Sequence, residues 1–227
     1  MSDNFEQIRI FGLLPFGGGG IFISLPLAAR LTQPRVWQAC MELPNDQGDQ
    51  IVDQCLKKHS QTRTTFDPYL HQMDFRGDEN VAAGYYESGR QMLSVHHWRH
   101  WYPLDMPAVA YVGKACGDEG ILMRWLFEHD MVLSNGYSIV HYPKGIDTDT
   151  LYKIEQTWQG DAEHKMGPLR PALDAKHKET YRIRDTEILE GKGVRQVYTN
   201  RAERVTDKAG KVTVKGQDKV LELLWLI

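Results

Sequence analysis

The 227-residue sequence predicts an α/β fold carrying a C-terminal antiparallel β extension, and three observations point there. Apolar residues recur at helical spacing between Leu25 and Leu56, short apolar runs flank four consecutive glycines, and from Ile154 onward charged strand-like segments alternate with turns. Residues 1–150 are therefore expected to form one α/β unit and residues 151–227 a small β-rich extension.

Taken in order, Gln7–Leu14 and Ile21–Ser24 read as short buried strands on either side of Gly17–Gly20, because four glycines in a row do not sit inside a regular element. Leu25–Leu31 reads as a helix with Pro26 in its first turn, and Pro34–Met41 as a second. Ile51, Val52, Cys55 and Leu56 share a helical face, so Asp49 stands at a helix N-terminus, where an ionised carboxylate is favoured. Thr62–Phe66 and Met92–His97 read as strands, separated by a polar, glycine-containing loop over Asp74–Gly89. Ile121, Leu122, Trp125 and Leu126 recur at helical spacing within Asp118–His129, and Met131–Tyr142 then alternates as a strand region around an Asn135-Gly136 turn. Tyr181–Leu189, Arg195–Asn200 and Val220–Ile227 are expected strands, with a turn over Asp207–Lys211.

Composition limits the classes of function. Hydrophobic residues at 41% and charged residues at 25% exclude wholesale disorder. A net charge of -3 with a pI near 6.3 provides no basic field for a phosphate backbone, so nucleic acid is not an expected partner. The apolar stretch Ile21–Ala29 is interrupted by Ser24 and Pro26 and is too short to span a bilayer. Met1–Ile10 carries Asp3, Glu6 and Arg9, the wrong order for a secretory signal, so neither a membrane segment nor a leader is expected. Cys40, Cys55 and Cys116 fit no zinc ribbon; either two of them pair in an oxidising compartment or they are small buried hydrophobes.

Three clusters carry candidate chemistry. Phe16 followed by Gly17, Gly18, Gly19 and Gly20 matches neither the dinucleotide fingerprint nor a P-loop; it is either a tight turn or backbone bared toward a ligand. In Gly48–Cys55, Asp49 and Asp53 lie one turn apart on one face. Asp49 is either a helix cap or a base for an acceptor hydroxyl, and Asp53 is either its neighbour in chemistry or a solvated charge. In Leu93–Trp101, strand alternation sends His96 and His97 to opposite faces; one imidazole there is either a ligand for a Mn-type ion or a satisfied core side chain. His71 is a weaker candidate of the same kind.

In this order the clusters resemble glycosyltransferase family 31, the inverting β1,3-glycosyltransferases that include Fringe and the core 1 galactosyltransferase. Phe16–Ser24 is similar to that family's glycine-rich segment, and Gly48–Cys55 to the acidic pair opening the next helix, with glycine in place of the first acid. Ser94-Val95-His96 is similar to the late histidine that completes the metal site, with His97 and His71 as competitors. The stretch Phe16–Trp101, with Asp105-Met106-Pro107, resembles the fungal branch of Fringe-like proteins, whose β-rich tail has its landmark here in Gly167–Pro171.

That resemblance implies a type-A glycosyltransferase fold, a mixed-sheet α/β sandwich present here as its C-terminal part. It implies a nucleotide-sugar donor, a glycan or glycoprotein acceptor, Mn or a similar divalent cation, and the Golgi or secretory lumen. It assigns Asp49 as catalytic base, His96 as metal ligand, and Gly17–Gly20 as the floor where donor and acceptor meet. The family's Asp-x-Asp metal motif, held upstream of the glycines, has no counterpart in Met1–Phe16. An inactive or incomplete transferase is the resulting expectation, with Cys116 as a partner for the missing half. The alternative is a non-catalytic carbohydrate-binding remnant that keeps the acceptor pocket.

Overall fold

A computed structural model describes residues 10, 12–45, 47–67, 69–70, 81–96, 105–120, 122–157 and 167–227. The chain divides into two compact units, the first made of Met1–Phe75, Met92–His97 and Gly160–Met166, the second of Arg76–Gln91, Trp98–Gln159 and Gly167–Ile227. Residues on both sides of position 150 thus belong to the second unit.

Among the described residues of unit 1 three helices are delimited, α1 (Leu25–Leu31), α2 (Pro34–Met41) and α3 (Gly48–His59), and Ile10 is also helical. Pro26 and Pro34 sit in first turns, where a missing N–H leaves no intrahelical bond unmade. In α3, Asp49 lies in the first turn and Lys57, Lys58 and His59 in the last, so both ends oppose the helix dipole favourably. Cys40 of α2 and Cys55 of α3 form a disulfide across a Cα–Cα distance of 5.3 Å. With Leu31 and Leu56 they make an apolar cluster against which Leu27, Val36, Leu43 and Val52 pack.

The expected strands of this unit do not form. Gly12–Leu14, Ile21–Ser24 and Thr62–Phe66 are irregular, and within Met92–His97 only His96 makes an isolated bridge. Residues 7–9, 11 and 97 of those expected strands lie outside the described residues. A strand is stable only with a neighbour to take its backbone hydrogen bonds, and among the described residues these segments have no strand beside them. Leu14 and Phe16 bury against each other instead.

Unit 2 carries helices α4 (Val81–Glu87), α5 (Met106–Tyr111) and α6 (Gly113–Cys116). Its strands are β1 (Arg124–Phe127), β2 (Met131–Ser134), β3 (Ser138–His141), β4 (Ile154–Gln156), β5 (Leu169–Pro171), β6 (Glu179–Leu189), β7 (Gly193–Asn200), β8 (Glu203–Thr206), β9 (Val212–Lys215) and β10 (Lys219–Leu226). Six form one antiparallel sheet in the order β1-β2-β3-β6-β7-β10, with an irregularity in the β6–β7 register between Ile183 and Asp185. The sheet curls, so that Trp125 of one edge strand meets Trp225 of the opposite edge strand in a T-shaped contact, ring centroids 5.8 Å apart. Among the described residues parallel pairing is confined to β4 with β5, and β8 and β9 form an exposed hairpin on the Asp207–Lys211 turn. The α/β class and the C-terminal antiparallel sheet are therefore as the sequence predicts.

Two sequence expectations fail in this unit. The expected helix at Asp118–His129 gives way to a 3-10 turn over Asp118–Gly120 and strand β1, because Met131–Ser134 offers β1 a full antiparallel register through the turn at Glu128–Asp130. Pairing overrides a helical period that is only a few residues long. Within the expected loop Asp74–Gly89, residues 81–87 form α4. Gly84 there is not a loop marker but a point of close approach: a Cβ on it would stand 2.5 Å from the Glu155 carbonyl oxygen of β4.

The interior of unit 2 is unusually charged. Lys178 Nζ donates to Glu87 Oε2 at 3.0 Å and to Glu155 Oε2 at 2.9 Å, and all three side chains are buried. Arg182 Nη1 donates to Glu87 Oε1 at 2.7 Å, Ser138 Oγ donates to the same oxygen at 2.7 Å, and Arg170 Nη2 donates to Glu155 Oε2 at 3.0 Å. Burial works to neutralise the Lys178 ammonium, but the Glu87 and Glu155 carboxylates outweigh it and hold its pKa above the usual lysine value. Burial also pulls the Arg182 guanidinium down to about 9, which leaves it charged at neutral pH.

Candidate functional site

The cluster singled out around the glycines lies in unit 1, beside an open cleft of about 390 Å³. One wall is the irregular run Ile21–Ser24 that follows the glycines, the other is Thr62–Asp67, and Leu27, Leu56 and Leu70 lie between. The polar groups it offers are the hydroxyls of Ser24, Thr62, Thr64 and Thr65 with the opposite charges of Arg63 and Asp67. An apolar base with hydroxyl-bearing walls can seat the face of a sugar ring and hydrogen-bond its edge.

Phe16 is buried beside Leu14 and does not line this cleft. Gly17–Gly19 form a single 3-10 turn closed by the Gly20 N–H donating to the Gly17 carbonyl at 3.1 Å. Gly20 follows at φ 101°, ψ 146°, backbone that side-chain-bearing residues do not adopt. Gly18 has a different reason to be glycine. A Cβ on it would fall 2.3 Å from Nε2 of His96, so the imidazole lies where a side chain would otherwise be. Ser94 Oγ donates to the Gly19 carbonyl at 2.6 Å, tying the two segments together across 75 residues of sequence.

The glycine turn and His96 are thus brought into direct contact. Asp49 is not. It is half-buried in the first turn of α3, its Oδ1 accepts from the Gln50 backbone N–H at 2.9 Å, and it is not among the residues lining the cleft. Asp53 is neither solvated nor unpaired: it is buried and takes a 2.6 Å bond from Lys57 Nζ one turn along. His71 and His97, with Trp98 and Trp101, lie outside the described residues. Among the described residues no three His, Cys, Asp or Glu side chains converge as ligands of one ion.

Sequence reasoning missed the Thr62–Asp67 wall by reading it as a strand; the available signal was its run of hydroxyl residues ending in a charge, which suits a bonded loop better than a ladder. Cys116, expected to have a distant partner, is a free thiol whose Sγ–H donates to the Val112 carbonyl at 3.3 Å. Among the described residues no helix is long and apolar enough to cross a membrane.

Residues 9–112 match the model of a family described as a protein of unknown function, DUF604. The matched segment contains the glycine turn, α3 with Asp49, and His96. No curated protein matches the chain.

Proposed function

We propose that this chain belongs to an inverting, Fringe-like glycosyltransferase, which moves a sugar from a nucleotide-sugar donor to a hydroxyl of a glycan or glycoprotein acceptor. The observation that carries the proposal is the seating of His96 on Gly18, with Ser94 bonded to Gly19, since two motifs far apart in sequence meet at one place beside a sugar-sized cleft. The DUF604 match spans these motifs, and that family is known as glycosyltransferase family 31-like. The buried Cys40–Cys55 bridge supports an oxidising compartment such as the Golgi or secretory lumen.

In the reaction, the acceptor hydroxyl gives its proton to Asp49 and its oxygen attacks the anomeric carbon. The bond to the nucleoside diphosphate breaks with its electron pair on the departing oxygen, and configuration inverts. Ser24 and the Thr62, Thr64 and Thr65 hydroxyls would orient sugar hydroxyls, with Gly17–Gly20 beside the cleft rather than in its lining. The chemistry a divalent cation such as Mn would supply, if held, is neutralisation of charge on the leaving diphosphate. His96 is the described residue that would ligate it, and among the described residues no group of three His, Cys, Asp or Glu side chains forms a full ligand set.

One observation favours a second reading. Asp49 does not line the cleft, which suits a carbohydrate-binding protein that holds the acceptor without transferring to it. Calorimetric titration of the purified chain separates the two. Nucleotide-sugar binding in the presence of Mn, weakened about tenfold (about 1.4 kcal/mol) in Gly18→Ala as the new methyl displaces His96, supports the transferase. With transfer measured, Asp49→Asn is expected to lower it about 10²–10⁴-fold. Glycan binding without donor binding supports the second reading, and no binding of either sinks both.

A further inference from the structure

Unit 2 holds a cleft of about 460 Å³ whose lining combines two chemistries. That volume lies within the span of small-molecule sites, roughly 300–1,000 Å³. Leu169, Pro171 and Leu173, with the ring of Tyr142, supply an apolar part, and both leucines are large side chains left exposed to water. Lys144, Lys153, Arg170 and His177 supply a polar part.

The cationic groups of this lining have donors to spare. Lys144 Nζ lies 2.9 Å from His177 Nε2, and His177 Nδ1 lies 2.6 Å from Asp174 Oδ1. An ammonium only donates, so Nε2 accepts from Lys144 and Nδ1 carries the proton given to Asp174. Lys144 thereby keeps two N–H bonds for another acceptor. Lys153 Nζ stands 6.0 Å from the Tyr152 ring centroid and, among the described residues, makes no hydrogen bond. Arg170 donates through Nη2 to Glu155 and to the Tyr142 hydroxyl, but its buried Nε–H has no partner among the described residues. The Arg170 side chain is only 8% exposed, so water does not readily satisfy that donor.

The nearby carboxylates are already engaged. Asp147 accepts at Oδ2 from the Thr150 hydroxyl at 2.7 Å and at Oδ1 from the Asp149 N–H at 3.1 Å. The Thr150 bond above all, helped by the Lys153 charge, holds the Asp147 carboxyl below the usual aspartate range. Asp174 Oδ1 accepts from the Lys176 N–H as well as from His177. Formal charge is thus close to balance, Lys144 and Lys153 against Asp147 and Asp174, while the bonds left open at the cleft are donors. Such a site calls for an acceptor-rich group of low charge, because a dianion would have to approach both carboxylates.

We propose that this cleft binds a small organic monocarboxylate with an apolar body. The carboxylate accepts from Lys144 and Lys153, with the Arg170 Nε–H as a third donor, and the body lies along Leu169, Pro171 and Leu173. Every residue involved lies in unit 2, so the site is independent of the transferase reading.

Calorimetry and backbone NMR on the full chain test it, with octanoate, octanol, acetate and octyl phosphate as probes in low-salt buffer. Octanoate is expected to bind at least tenfold more tightly than each of the other three, with amide shifts concentrated at Gly145, Lys153, Leu169 and Leu173. Lys144→Ala with Lys153→Ala should weaken octanoate about tenfold or more, the loss expected for charge-assisted bonds. The melting temperature should move little, since neither ammonium is bonded to a carboxylate among the described residues. Leu173→Ser should narrow the gap between octanoate and acetate, because it removes apolar wall and no charge. The proposal is overturned if octanoate does not bind, if the double lysine variant binds it as tightly as the parent, or if octanol or octyl phosphate binds as well.

Discussion

Unit 1 holds the helices α1–α3 together with one disulfide and a small apolar cluster around Leu31, Cys40, Cys55 and Leu56, and most of its other described segments run without regular structure. Unit 2 instead spreads a six-stranded curled sheet over a tyrosine- and valine-rich interior and places five charged side chains, Glu87, Glu155, Arg170, Lys178 and Arg182, within its bonding network. A small core relies on a covalent tie because it buries too little apolar surface to offset chain entropy. A larger core can carry buried ions, provided that each has its partner. The difference locates the weak points: in unit 1 a bond between cysteines, in unit 2 the first carboxylate to be lost.

The largest effect is expected at Glu87. Its carboxylate serves Lys178, Arg182 and Ser138 together, so Glu87→Ala removes one bond from each of two buried cations and from a hydroxyl, and leaves Lys178 with Glu155. Breaking a buried ion pair from one side typically costs about 3–5 kcal/mol. Chemical denaturation should show that loss, with hydrogen exchange rising over β3 and β6 and unchanged over α1–α3. A cost near that of a surface substitution would mean that the network contributes little and that unit 2 rests on its apolar core alone.

The next effect tests the other side of the contrast. Replacing Cys40 and Cys55 by serine opens a loop whose ends are 15 residues apart, worth about 3 kcal/mol in chain entropy. The loss should be confined to unit 1, seen as faster exchange across α2 and α3, and a reductant should reproduce it in the parent protein. Equal loosening of β1–β3 would show that the units do not keep separate accounts of stability.

How much of this was legible in the sequence follows the range of the interactions. Helices α1, α2 and α3 were readable because their signals are local: Pro26 and Pro34 in first turns, Asp49 at one end and Lys57 at the other. The β2–β3 hairpin announced itself through Asn135-Gly136, and β6, β7 and β10 through alternation. Strand β1 was missed because what makes it a strand is the register with β2, and α4 because Gly84 answers to Glu155, 71 positions away in the numbering. The buried charges were invisible for the same reason, Lys178 and Glu87 being 91 residues apart. At the candidate site, the contact of His96 with the glycines agrees with the motif reading, whereas the cleft's second wall and the position of Asp49 depend on how α3 and the Thr62–Asp67 loop fold back.

The smallest effect sharpens the comparison inside unit 2, where a surface ion pair can be set against the buried network. Lys219 Nζ donates to Glu179 Oε1 at 2.9 Å, and the Tyr181 hydroxyl and His141 Nδ1 also face this carboxylate, each at 3.5 Å. The hydrogen bond from Lys219, helped by its charge and by His141, holds the Glu179 carboxyl below the usual glutamate value despite some burial. A carboxylate depressed in the folded state stabilises that state above its unfolded pKa, 4.5, and the contribution fades as pH falls through the lower folded value. Glu179→Gln should therefore lower the melting temperature slightly at neutral pH and by nothing once the pH is well below 4.5. Because Lys219 is solvent-exposed and the pair is screened, added salt should erase the neutral-pH difference as well. The Glu87 variant should keep its deficit in the same salt, since water and ions do not reach a carboxylate that is 6% exposed. Matching salt responses for the two variants would place Glu87 in the same solvated environment as Glu179 and remove the basis for calling the network buried.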